Sequence, residues 1–122
     1  MAYSRWDSKD SWYIYWTVAP NDHKGPKYQT LSVTYCGGRQ MMFPANRLLR
    51  NTQRCIDKCL ASKAKVLARL GKDTSSDESR KEDSWFLKNC MARFLVDVGT
   101  KYCMDENWIP KEWRNEHPWL PA

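Results

Sequence analysis

Residues 45–70, ANRLLRNTQRCIDKCLASKAKVLARL, carry two interleaved patterns with one period. At 100° per residue, Leu48, Leu49, Cys55, Ile56, Cys59, Leu60, Val66, Leu67 and Leu70 gather on one side of a helix. Arg47, Arg50, Arg54, Lys58, Lys65, Arg69 and Lys72 gather on the other, at steps of three, four or seven. Asp57 is the only acid between them. A continuous helix over this span would be about 39 Å long. The expectation is therefore one amphipathic rod with an apolar back and a cationic front, closed by Gly71 at its C-terminal end.

Upstream, residues 11–19 alternate strictly, with Trp12, Ile14, Trp16 and Val18 on one face and Tyr13, Tyr15 and Thr17 on the other. This pattern of aromatic and β-branched residues predicts a strand. PNDHKGPK (20–27) reads as a loop, and 28–36 as a second strand. Gly37-Gly38 reads as a two-residue hairpin turn leading to a short third strand over 39–43, which Pro44 ends. Downstream, 72–83 is a polar linker in which Ser79 and Glu82 have capping-box spacing. A second helix is expected over about 80–102, with Trp85, Phe86, Leu87, Met91, Phe94, Leu95, Val98 and Tyr102 in helical rhythm. Gly99 either ends it or lies in a late turn. A tail over 104–122 holds Trp108, Trp113 and Trp119 among prolines.

The fold class that follows is α+β: one domain over 1–122, with a small antiparallel sheet of two to three N-terminal strands packed on two long C-terminal helices. The length of 122 residues suits a single core. Seven Trp, six Tyr and three Phe must supply much of its bulk, since aliphatic residues are scarce. No run is apolar and long enough to span a membrane, and the charged N-terminus lacks a signal-peptide core, so a cytoplasmic protein is expected. Five cysteines then read as free thiols.

The net charge of +6 is concentrated. Residues 1–38 carry +1, residues 39–72 carry +8 and residues 73–122 carry −3. A solvent-facing helix side usually mixes signs, because opposite charges at i, i+4 stabilise it. Seven like charges repel, and an external anion would offset them; Asp73, Asp77, Glu78, Glu82 and Asp83 could also fold back over the far end of the stripe. Among partners, nucleic acid comes first: phosphates would dominate the contacts, and affinity would fall steeply with salt. The alternative is a protein-binding modulator or inhibitor, of the kind phages and mobile elements carry, that covers an acidic surface of a nucleic-acid-handling complex.

Other residues are weighed against plainer roles. Tyr13 and Tyr15 either stack bases or pack beneath the tail tryptophans. Trp113 and Trp119 either dock a partner or seal the protein's own core. Cys55, Cys59, Cys90 and Cys103 lack close knuckle spacing for zinc and read as ordinary buried or free thiols, so no metal or cofactor is expected. A ribonuclease would need His23 and His117 at one phosphate, and nothing in the sequence brings them together. There is no glycine-rich phosphate loop and no nucleophile elbow. The expected function is binding without catalysis, with self-association left open.

Overall fold

In the computed structural model, residues 12–17, 25–72 and 76–111 are described. Alternation places Trp12, Ile14 and Trp16 of β1 (Trp12–Thr17) in the core and turns Tyr13 the other way. β1 pairs antiparallel with β2 (Thr30–Tyr35), which pairs antiparallel with β3 (Met41–Pro44), giving the order β1-β2-β3. The register aligns Trp16, Leu31 and Phe43 in one inward row, and Ile14, Val33 and Met41 in the next. Tyr15, Ser32 and Met42 form a row on the outer face. The strands are shorter than expected, but each lies within or beside its expected range.

The hairpin turn sits one residue earlier than the Gly37-Gly38 pair suggested. Cys36 (φ 45°) and Gly37 (φ 72°) both take positive φ, and the Gly38 N–H donates to the Tyr35 carbonyl at 2.8 Å. Gly38 serves a packing need instead. A Cβ there would stand 2.6 Å from Val66 Cγ2, so the hairpin can lie against the helix only with no side chain at this position.

The expected rod is broken. Helix α1 spans Ala45–Arg50, and α2 spans Thr52–Arg69. Between them Asn51 is extended, with φ −157° and ψ 81°. Its side-chain oxygen accepts the Arg54 N–H at 3.1 Å, and the Thr52 hydroxyl donates back to the Leu48 carbonyl at 2.7 Å. Asparagine caps helices well because it competes with the backbone for such hydrogen bonds. Here it starts a new helix inside an otherwise continuous apolar rhythm. At the far end, Gly71 (φ 70°) closes α2 as expected, with Gly71 N–H donating to Ala68 and Lys72 N–H to Leu67.

Helix α3 runs Asp77–Lys101, and Ser76 caps it by accepting the Ser79 N–H. The expected capping box at Ser79 is therefore one turn too late. Gly99 lies in the last turn of α3, where a Cβ would meet the Trp108 ring at 2.9 Å. The Trp108 indole donates to the Leu95 carbonyl at 3.0 Å, so the first tryptophan of the tail seals its own core.

The helices cover the inner face of the sheet. Trp16 meets Phe94 of α3 edge-on at 5.7 Å, and its indole donates to buried Gln29 at 2.8 Å. Leu48, Ile56, Leu87, Met91 and Leu95 fill the space between the layers. Two residues placed on apolar faces by periodicity are exposed instead: Leu70, which is the α2 C-cap, and Trp85 in the third turn of α3. Conversely, Lys63 is buried. It forms an ion pair with buried Asp83, is 3.4 Å from the Ser79 hydroxyl, and lies 5.2 Å from the Tyr35 ring centroid. The Trp12 indole also donates to Asp83, at 3.3 Å. This cluster ties β1, β2, α2 and α3 together. Among the described residues, no helix is long and apolar enough to cross a membrane.

Candidate anion-binding surface

The kink at Asn51 arranges the cations differently from a straight stripe. Arg47 and Arg50 come from α1, Arg54 and Lys58 from α2, and together they line a hollow of about 420 Å³ with Asn51 and Cys55. A second hollow, of about 540 Å³, lies beside it and shares Arg47 and Lys58. Arg39 and Lys65 extend the cationic lining there, while Met41, Met42 and Phe43 supply apolar wall. Both volumes fall in the range of ordinary ligand sites. Of the seven stripe residues, Arg47, Arg50, Arg54, Lys58 and Lys65 are thus brought to one surface. Arg69 and Lys72 are exposed near the end of α2 and line neither hollow. Arg39, in the loop just before β3, is a cation the helical spacing could not include.

Six cations therefore line two adjoining hollows. Among the described residues none of the six has a carboxylate within 4.0 Å. The acids that follow α2 do not fold back over the stripe in the described part of the chain. Asp83 pairs with Lys63 inside, and Asp77 and Glu78 sit in the first turn of α3, where the helix dipole favours them. Asp57, the one acid within the stripe, accepts a hydrogen bond from Gln53 at 2.9 Å.

Cys55 is fully buried behind the first hollow. Burial pushes its thiol up in pKa, and this outweighs the opposing pull of Arg47, Lys58 and Arg54. Burial also raises the thiols of Cys59 and Cys90. Such thiols stay protonated and behave as small apolar groups. Cys103 stands apart, exposed just past α3 with φ 52°. Among the described residues no three His, Cys, Asp or Glu side chains gather as a metal site would require.

The sheet tyrosines do not lie under the tail residues described. Tyr13 is 52% exposed, and its ring meets that of half-buried Tyr15 edge-on at 5.2 Å. The Gln40 amide, on the rim of the second hollow, donates to the Tyr15 hydroxyl and to the Ser32 hydroxyl, each at 2.6 Å. His23, Trp113, His117 and Trp119 fall outside the described residues. Set against protein-family models, curated proteins and solved structures, the chain matches none.

Proposed function

We propose that this is a non-enzymatic cytoplasmic protein that binds nucleic acid through the surface formed by Arg39, Arg47, Arg50, Arg54, Lys58 and Lys65. One observation carries the reading: six like charges line one concave region with no neighbouring carboxylate among the described residues. Their mutual repulsion costs stability unless an anion offsets it. A chain of phosphates fits that need, because it supplies regularly spaced charge and releases counterions on binding. The four arginines can each hold a phosphate through two parallel hydrogen bonds.

The test is affinity against salt. If all six cations neutralise phosphates, the log–log slope is about −4 on a single strand and about −5 on a duplex. Arg47→Glu with Arg54→Glu weakens binding about tenfold or more and flattens that slope. Binding indifferent to salt, or unchanged in the double variant, overturns the reading. Arginine forks suit carboxylates as well, so an acidic protein surface is the competing partner. Capture of a single acidic protein that survives nuclease treatment, with no retention of free DNA or RNA, decides for that competitor.

A further inference from the structure

We infer that the partner is a single strand, with its backbone in the basic hollows and its bases carried across the β3 edge onto the outer sheet face at Tyr13 and Tyr15. This rests on the nucleic-acid reading above and narrows it to one form of polymer. The first argument is the position of the second hollow. Five consecutive residues, Arg39 to Phe43, line it. Successive strand residues point to opposite faces, so a hollow touched in turn by Met41, Met42 and Phe43 of β3 lies along the edge of that strand and not over one face. The opposite wall includes Arg47 of α1 and Lys58 and Lys65 of α2. The cations therefore face a cleft beside a strand edge. Duplex readers instead offer a protruding helix or ribbon to a major groove about 12 Å wide.

The second argument is continuity. Gln40 and Met42 line the cleft, and Met42 is also 41% exposed. In register, Met42 lies opposite Ser32, and Ser32 opposite Tyr15. Gln40 hydrogen-bonds both Ser32 and Tyr15. The cleft rim thus runs without interruption into the outer face, where Tyr13 stands two residues along from Tyr15. With strands about 4.8 Å apart, the Tyr15 backbone is about 10 Å from that of Met42. A strand leaving the cleft would span this in about two to three nucleotides, at roughly 3.4 Å or more each. Exposed tyrosines on a sheet can stack bases only when the bases are free of a duplex.

The experiment measures anisotropy of a labelled DNA single strand about 12 nucleotides long, within usual site sizes, and of the same sequence as a duplex. Both are read at about 50 mM salt, where phosphate contacts are strong. The single strand is expected to bind about tenfold or more tightly. Tyr13→Ala is expected to weaken single-strand binding by about fivefold or more, with the duplex affinity and the melting temperature unchanged. Trp85→Ala, an exposed aromatic on α3 in the helical layer, is the control and is expected to bind like the parent. A 5-iodouracil-substituted strand should crosslink on the outer sheet face, at Tyr13 or Tyr15. Equal affinity for both polymers, or a Tyr13→Ala variant that binds normally while Arg54→Glu does not, overturns the single-strand inference and leaves the nucleic-acid reading standing. Binding of neither polymer overturns both.

Discussion

Helix α2 carries lysines in two opposite situations. Lys63 is buried, paired with Asp83, and set against Ser79 and the Tyr35 ring. Lys58, a little over one turn earlier, is exposed beside three arginines, and neither it nor they have a carboxylate within 4.0 Å among the described residues. Where the protein needs a charge for its own structure, it supplies the counter-charge and further polar contacts. Where it gathers six charges on its surface, the described residues supply none. The first pattern belongs to folding. The second weakens the folded state slightly, the cost that the proposed anionic partner would offset.

The most forceful way to break this comparison is to remove the internal partner. Asp83→Ala takes the buried carboxylate away from Lys63 and also strips an acceptor from the Trp12 indole. The expected loss is about 3–5 kcal/mol in urea unfolding. Lys63→Met combined with Asp83→Leu should recover most of that loss, because an apolar pair of similar volume avoids desolvating two ions. A single variant as stable as the parent would mean that the inner pair is no more structural than the outer cations.

Alkaline pH probes the boundary between the two regions. All three raised thiols belong to the core, Cys55 at its border with the first hollow, and even three nearby cations do not offset burial at Cys55. Their folded-state pKa values stand above the ordinary 9.0, so both states keep the proton below that value and the thiols' contribution to stability is complete. Above it the unfolded chain releases protons that the folded chain retains. Stability then falls with rising pH. Cys59→Ala with Cys90→Ala should flatten the alkaline limb of a stability–pH curve. In the native protein, iodoacetamide should modify the exposed Cys36 and Cys103 well before Cys55, Cys59 or Cys90.

Most of the fold was legible because its signals are local. Alternation at Trp12 to Thr17 placed the inner and outer faces of β1 correctly, and Gly71 marked the end of α2. Five of the six cations that line the hollows were legible from helical spacing, but their arrangement was not, because Asn51 interrupts the rod without interrupting the apolar period. The available signal was Asn-Thr, two weak helix formers, the first of them a strong cap. Nothing local separates that signal from a tolerated mid-helix asparagine. Lys63 was also readable in part, since it stands one turn from both Cys59 and Val66, on the apolar side. Its partner Asp83 is twenty residues away on another helix, and only tertiary packing joins them. Arg39 joins the hollow for the same reason: the loop ahead of β3, and not helical spacing, carries it there.

Asn51→Ala tests the kink itself. It removes the side chain that caps α2 and should cost about 1 kcal/mol. It also weakens the geometry that holds Arg47 and Arg50 beside Arg54 and Lys58, so affinity should fall more than the small stability change explains. An affinity equal to the parent's would show that the hollow does not depend on the bend.

The smallest expected effect sharpens the comparison most, because its sign is informative. Arg50→Gln with Arg54→Gln removes two exposed cations from the hollow without adding a charge. If these residues were there to support the fold, the variant would be less stable. If they repel one another while awaiting an anion, it should be more stable by a few tenths of a kcal/mol at low ionic strength. That gain should vanish near 1 M salt, where the screening length shrinks to about 3 Å. Thermal melts at the two salt concentrations read both the sign and its cause. A salt-sensitive gain in stability alongside lost nucleic-acid affinity would locate the competing demands of folding and binding in the same side chains.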